Sequence, residues 1–378
     1  MGRSTSALKR PENRHGSNNP MTRGDDICTA LHRATGLVVD AGVSIAPYTT
    51  LKIGGPADFF VRAPDGKSLG RVLTAAENLA LPVLVLGGGS NMIVSDRGFR
   101  GLAVKVETPT SLRNRGTVIH EDGQEVVIQV EPGCQTAGIA RWTAQLGLSG
   151  LEWACGIPGT IGGAIAGNAG AYDGDMKAVV NAVTFWSPGQ ASTGFPSRIC
   201  TVSGGKMAFG YRSSLLKSPG SGVVIGAELR LGRATPAELL QRINRFEASR
   251  RARQPTERSC GSVFRNPPGK FAGQLIEQAG LKGHRIGDAQ ISLLHGNYIV
   301  NRGAATAHDI AILIEEVRDR IFVGTDIFLE TEVVLSGDWS TDGGPTNSDD
   351  AREGPDGVGV AAQQKTDAAT ATLGDRNG

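Results

Sequence analysis

The stretch Leu81–Gly101, LPVLVLGGGSNMIVSDRGFRG, decides how the chain is read. Leu81–Leu86 is a short apolar run with the character of a buried strand. It breaks directly into Gly87-Gly88-Gly89-Ser90-Asn91. Such a loop exposes consecutive backbone N–H groups and lets a phosphate come close. A dinucleotide-binding βαβ unit is the obvious competitor. Glu107 even lies about 20 residues beyond Gly87, where a ribose-binding acid would stand. Three features argue against it. Met92 holds the position of the third glycine. Residues 92–101 carry Asp96, Gly98 and Gly101 and do not read as a helix. Parallel strands also need a long, usually helical crossover. No GKS or GKT follows, so there is no P-loop. The expectation is a pyrophosphate cradle built on short strands and turns.

A second loop strengthens that expectation. Gly156-Ile157-Pro158-Gly159-Thr160-Ile161-Gly162-Gly163 runs on to Asn168-Ala169-Gly170-Ala171. Either loop alone is compatible with a plain turn. Two in one chain point to a phosphate or pyrophosphate ligand.

The 378 residues suit two or three domains at roughly 100–200 residues each. The 53 glycines are about twice the usual share of roughly 7%. Lys+Arg number 39 and Asp+Glu 37, for a net charge of +2. That balance argues against a nucleic-acid partner held by a basic field. No apolar run approaches the roughly 20 residues of a membrane span, and the N-terminal segment has no apolar core for a secretory signal. Five scattered cysteines without CxxC suit a reducing cytoplasm. The six histidines show no metal spacing, so no metal is expected.

Residues 1–25 and 337–378 are poor in branched aliphatics and read as disordered tails. Between them helices and strands mix, which makes the class α+β or mixed α/β. Ser68–Asn78, Thr136–Leu146, Thr235–Arg251, Phe271–Ala279 and Ala307–Phe322 read as helices; Thr235-Pro236 is an entry signal. Val126–Val130, Val223–Leu231 and Asp326–Leu335 read as strands. A domain boundary is expected near 232, where strand and loop text gives way to a long helix.

Three segments carry candidate chemistry. In Phe209-Gly210-Tyr211-Arg212-Ser213-Ser214, Arg212 is placed to clamp a carboxylate or enolate. In Cys260-Gly261-Ser262-Val263-Phe264-Arg265-Asn266-Pro267, Ser262 is a proton donor candidate, and Arg265 and Asn266 suit an anion. No GxSxG elbow surrounds Ser262, so a hydrolase triad is unsupported. In Leu329-Glu330-Thr331-Glu332-Val333, alternation puts both carboxylates on one strand face. One of them is a candidate for a raised pKa and acid work; spacing does not choose between them. Lys282, Arg285 and His295 follow one another in LKGHRIGDAQISLLHGN. For each of these the bland alternative is a surface arginine, a capped turn, an edge strand or a structural histidine.

Taken in order, these segments resemble the flavoprotein family of UDP-N-acetylenolpyruvoylglucosamine reductases (MurB-type). The match runs from Tyr48 to Gly337. It rests on YTTLKIGGPAD, LGGGSN, GLEWACGIPGTIGGAIAGNAGAY, FGYRSS, RARQP, GSVFRNP, AGLKGHRIGDAQIS, HGNYIVN and LETEV. The resemblance implies a vanillyl-alcohol-oxidase/PCMH-type FAD-binding fold of two small α/β subdomains plus a C-terminal α/β substrate-binding domain. By carry-over these are residues 26–232, split into about 26–105 and 106–232, and residues 233–336. No insertion follows Ser214, so the chain resembles the shorter form, which lacks a loop with an additional tyrosine.

The resemblance also implies the chemistry. Reduced FAD, recharged by NADPH, passes hydride to UDP-N-acetylglucosamine enolpyruvate. Arg212 and Glu332 stabilise the enolate-like state, and Ser262 delivers the proton. Family register favours Glu332, with Glu330 as the fallback. FAD contacts fall to Gly87, Gly88, Gly89, Ser90, Asn91, Gly156, Ile157, Pro158, Gly159, Thr160, Gly162, Gly163, Asn168, Gly170, Ala171 and Arg250. Substrate contacts fall to Tyr211, Arg253, Asn266, Lys282 and His295. A cytoplasmic monomer is expected, with a tightly bound, non-covalent flavin. Departures are mild: Arg265 stands where Lys is frequent, Cys260 where Ala is usual, and Gly296 and Tyr298 where Ala and Phe are commoner.

Overall fold

The computed structural model describes residues 23–189, 197–218 and 220–340. The expected strand over Leu81–Leu86 is Val83–Leu86, at one edge of a four-stranded sheet. The strand order is Val39–Ser44, Pro56–Ala63, Phe99–Val106 and Val83–Leu86. The first pair is antiparallel and the other two pairings are parallel. Helix Gly66–Asn78 covers one face and buries Leu69, Val72, Leu73 and Ala76, the residues at helical spacing. Asp65 caps it by accepting from the Ser68 N–H at 2.6 Å. The opposite face has its own core, with Phe60, Leu84, Leu86 and Val94. After the glycine loop the chain enters a three-residue strand, Met92–Val94. The helix that a dinucleotide-binding unit would need there is missing.

A six-stranded antiparallel sheet follows. Its order is Arg198–Ser203, Val180–Ser187, Val223–Arg233, Glu125–Val130 and Thr117–Asp122, with Leu148–Ser149 pairing off Val223–Arg233. Helices Thr136–Gln145 and Ile161–Ala166 pack into its core through Ile139, Ala140, Ile161 and Ile165. Helix Pro236–Arg253 has a complete capping box, Thr235 with Glu238, and three arginines in its last turn. Both features complement the unpaired groups at its two ends. It buries Leu239 and Ile243 in the core of this second sheet.

The third sheet is antiparallel, in the order Arg258–Ser262, Tyr298–Asn301, Ala289–Ile291 and Arg285–Ile286. Helices Ala272–Gln278 and Ala307–Thr325 cover it. The third unit is fastened to the first glycine loop. Val334–Ser336 pairs in parallel with Met92–Val94. The Asp96 carboxylate accepts from the N–H groups of Ala307 and His308 at 2.9 and 3.0 Å. These are donors that the first turn of a helix leaves unpaired. Asn301 Nδ2 donates to the Leu51 carbonyl at 2.9 Å.

Two expectations need adjustment. Asp326–Leu335 is not one strand: only Val334–Ser336 is, and Thr331 makes a single bridge to Phe264. Leu329 and Val333, four apart, are the buried residues there, so the burial does not alternate. Residues 23–25 open the helix Arg23–Thr35, and Asp338 donates its N–H to the Gly98 carbonyl at 2.9 Å. Described structure is therefore found a little past both expected limits. The rest of the expected tails lies outside the described residues.

Candidate active site

The two glycine loops meet. A Cβ on Gly88 would sit 2.5 Å from the Gly159 Cα, and one on Gly87 would sit 2.6 Å from Thr160 Oγ1. Gly89 has φ +60°, and a Cβ there would lie 2.1 Å from the Tyr48 carbonyl oxygen. Only glycine fits such approaches. Ser90 Oγ donates to the Pro158 carbonyl at 3.2 Å, and Lys105 Nζ donates to the Gly87 carbonyl. Burial pulls the Lys105 ammonium below its ordinary pKa. Meanwhile the N–H groups of Gly88, Gly89, Ser90, Gly159 and Thr160 donate no hydrogen bond to the described residues. Free N–H groups around a side-chain-free gap make an anion cradle. Arg250 adds a cation: its Cδ lies 2.6 Å from where a Cβ on Gly156 would be. The residues present therefore fit a dinucleotide pyrophosphate.

Asn168 joins the second loop to the arginine turn. Its Nδ2 donates to Asp175 Oδ2 at 3.1 Å and to the Gly210 carbonyl at 2.9 Å, and its Oδ1 accepts from the Lys177 N–H at 3.0 Å. Arg212 sits on that turn at φ +52°. Its Nη1 donates to the Gly170 carbonyl at 3.2 Å, and its own carbonyl accepts from Arg265 Nη2 at 3.2 Å.

Arg212 meets Glu332, with Nε 2.7 Å from Oε1. The Nε–H is buried and not aimed along that line, so the pair is an ionic contact rather than a directed hydrogen bond. Glu332 is placed by its backbone: its N–H donates to the Val263 carbonyl at 2.8 Å. That carbonyl belongs to the residue after Ser262. Burial pushes the Glu332 carboxyl above the ordinary range, and Arg212, Lys217 and Arg265 pull it back only in part. Glu330 is largely exposed and pairs with Arg265 at 3.4 Å. The structure thus separates two carboxylates that the sequence left together.

Ser262 ends the strand Arg258–Ser262 and stands opposite Tyr298. Cys260, behind it, is fully buried, and burial pushes its thiol up to about 12. Cys155 is also buried, with its thiol raised by burial. Neither has the thiolate character of a reactive cysteine.

The other expected substrate contacts gather less tightly. His295 Nδ1 accepts from the Asn297 N–H at 3.2 Å. Burial and then Lys282 hold the His295 imidazole below its usual pKa. Lys282 pairs with Glu277 at 2.8 Å. Asn266 Oδ1 caps the next helix by accepting from the Ala272 N–H at 3.1 Å. Tyr211 and Arg253 are exposed; the Arg212 guanidinium lies 5.6 Å from the Tyr211 ring centre. Lys217 was not expected here. Its half-buried ammonium faces Arg265, Glu332 and Arg212, and burial lowers its pKa. It follows Arg212 through an irregular turn, which carries no periodic signal. Among the described residues no group of three or more His, Cys, Asp or Glu could hold a metal ion, and no helix is long and apolar enough to cross a membrane.

Known proteins match this arrangement. A family model for the C-terminal domain of UDP-N-acetylenolpyruvoylglucosamine reductase matches residues 254–336, and one for an FAD binding domain matches residues 57–189. The chain is 42% identical over 291 residues to the UDP-N-acetylenolpyruvoylglucosamine reductase of Chloroflexus aggregans, covering 76% of this chain and 93% of that protein. It is 42% identical over 292 residues to UDP-N-acetylenolpyruvoylglucosamine reductase 2 of Symbiobacterium thermophilum, covering 77% and 89%. A crystal structure of the reductase from Thermus caldophilus superposes with a TM-score of 0.64 at 33% identity, covering 79% of this chain and 99% of that one.

Proposed function

The chain belongs to the UDP-N-acetylenolpyruvoylglucosamine reductase family, and on that premise we propose that Arg212, Ser262 and Glu332 carry the protonating half of its reaction. The protein is an FAD-containing oxidoreductase of peptidoglycan precursor synthesis that reduces UDP-N-acetylglucosamine enolpyruvate. The paired loops Gly87–Asn91 and Gly156–Thr160, with Gly162, Gly163, Asn168, Gly170 and Ala171, would hold FAD, and Arg250 would supply a cation for its phosphates. When bound, FAD supplies the two-electron reduction of the vinyl group, with NADPH as electron source.

The observation that carries the reading is the Arg212–Glu332 contact at 2.7 Å, fixed beside Ser262 by the Glu332-to-Val263 backbone bond. As the vinyl group is reduced, negative charge develops on the carbon next to the carboxylate. Arg212 is already oriented toward it by Gly170, so no reorganisation is needed when the charge appears. Burial favours the protonated form of Glu332, and in that form it would donate a hydrogen bond to the same oxyanion; ionised, it would repel it. The Ser262 hydroxyl gives its proton to the carbon, and the product is the lactyl ether UDP-N-acetylmuramate. Lys282, His295, Asn266, Arg253 and Tyr211 form the UDP-sugar end, where Arg253 supplies a cation for the phosphates.

Residues 26–232 form the flavin half and 233–336 the substrate half. Helix Pro236–Arg253 bridges them, because it packs on the second sheet yet delivers Arg250 and Arg253 to the cleft. The enzyme works as a cytoplasmic monomer.

Anaerobic addition of NADPH to the flavoprotein should bleach its visible absorption. The enolpyruvyl substrate should then restore it. Re-oxidation by oxygen alone would make the chain a different flavin enzyme, and a protein that cannot be loaded with FAD would overturn the reading altogether.

A further inference from the structure

Behind Ser262 stands a second hydroxyl. In the antiparallel pair Arg258–Ser262 and Tyr298–Asn301, Ser262 and Tyr298 are direct partners, after a break in register between Ser259 and Ser262. Directly opposed side chains project to the same face, with Cβ atoms roughly 4.5–5.5 Å apart. Across that pair the Ser262 side chain faces the Tyr298 phenol and favours its anion. The contact is not closed to ordinary geometry, as is common for catalytic groups before substrate tightens the site.

The ring cannot swing away. Tyr298 is 5% exposed and packs edge-on against His295, with ring centres 4.9 Å apart. Its N–H donates to the His295 carbonyl at 3.1 Å, and its carbonyl accepts from the Ser292 N–H at 2.8 Å. Packing alone does not require a phenol here. Phenylalanine would fill the same space. Arg250, Cys260 and Glu332 are the other groups facing it. Arg250 is the cation among them.

We propose that Tyr298 is a proton relay, returning a proton to Ser262 as Ser262 protonates the substrate carbon. The inference rests on the reading of Ser262 as the donor. The Ser262 O–H bond breaks as the C–H bond forms. The phenolic O–H of Tyr298 breaks as the Ser262 O–H re-forms, so no free alkoxide builds up. The resulting phenolate, favoured by the charge of Arg250, takes a proton from water. No net charge is lost and no oxidant is required. Burial raises the phenol above its ordinary pKa, so it carries its proton at neutral pH, while Arg250 and Ser262 favour the transient anion.

The test uses the FAD-loaded full chain in anaerobic stopped flow, following flavin absorbance in both half-reactions. Tyr298→Phe should leave reduction by NADPH unchanged. It should slow substrate-dependent re-oxidation by about tenfold or more, against general acid–base contributions of roughly 10²–10⁴. Ser262→Ala should slow it further. The double variant should be no slower than Ser262→Ala, since the phenol acts only through the serine. The proton inventory in mixed H₂O and D₂O should be curved in wild type and linear in Tyr298→Phe. A readout independent of turnover is the alkaline ultraviolet titration of Tyr298, taken as wild type minus Tyr298→Phe; Ser262→Ala should move it upward. Wild-type re-oxidation by Tyr298→Phe, or additive losses in the double variant, would refute the relay while leaving Ser262 as donor. Wild-type re-oxidation by Ser262→Ala would remove the donor itself, and the relay with it.

Discussion

Gly88→Ala tests the cradle most directly. The new Cβ would lie 2.5 Å from the Gly159 Cα, 3.2 Å from the Gly159 nitrogen and 3.3 Å from its carbonyl carbon. Ordinary van der Waals contact begins at 3.4 Å, so the loops must part by about 0.9 Å (3.4 − 2.5). All three neighbours are backbone, and no flexible side chain can give way. Gly159 itself is held, because its carbonyl accepts from the Thr136 N–H at 3.1 Å. Overpacking of this kind costs about 1–3 kcal/mol. If the cost falls on the loop arrangement that binds FAD, the affinity falls by roughly 5- to 150-fold. The assay is titration of the apoprotein with FAD, read by quenching of flavin fluorescence. Gly205→Ala is the control, since a Cβ there meets nothing within 4 Å. Wild-type FAD affinity in Gly88→Ala, with the control also at wild type, would refute the claim that FAD lies between these loops. A melting temperature lowered equally with and without FAD would show that the glycine serves only packing.

Two further outcomes follow from the same geometry. Burial raises the folded pKa of Glu332, so the folded state holds that proton more tightly than the unfolded chain does. The resulting stability is fully present below the unfolded value of roughly 4.3 and is lost as pH rises through the folded value. Glu332→Gln should therefore raise the melting temperature at neutral pH and lose that gain near pH 4. It should also remove the alkaline fall in the rate of substrate-dependent re-oxidation. A neutral-pH melting temperature below wild type would show that the ionised pair with Arg212 stabilises the fold. Asp96→Ala removes two acceptors from the first turn of helix Ala307–Thr325. Loss of such a cap costs about 0.5–2 kcal/mol, a drop of a few degrees in melting temperature. The FAD titration should be unchanged, and a weakened one would show that the clasp also shapes the flavin loop.

Much of the fold was legible because local rules and tertiary packing agree. Leu69, Val72, Leu73 and Ala76 are spaced for a helix and are buried as one. Thr235-Pro236 announces a helix, and Thr235 caps it. The glycine loops were legible for a different reason. Three consecutive glycines after a strand have few purposes other than a close backbone approach, and Gly88 and Gly159 show that approach. The reading failed where backbone register is set by distant chain. Alternation put Glu330 and Glu332 on one face of a strand. There is no strand at that point, because Thr331 makes only a single bridge to Phe264 while the Glu332 N–H turns to the Val263 carbonyl. Lys217 was invisible, since nothing local links a lysine on an irregular turn to Arg265 and Glu332.

The position of the site follows from that same register. The flavin loop runs straight into Met92–Val94, and the chain carrying Glu332 runs straight into Val334–Ser336. These two strands pair with each other. Asn91 extends the pairing backward: its Nδ2 donates to the Glu332 carbonyl at 3.1 Å, and its own carbonyl accepts from the Val334 N–H at 3.1 Å. The carboxylate and the cradle are thus set against each other by backbone bonds rather than by side chains that could drift. Ser262 enters the same lattice through Val263. An arrangement fixed in this way keeps the Glu332 carboxylate in place through both halves of the proposed reaction.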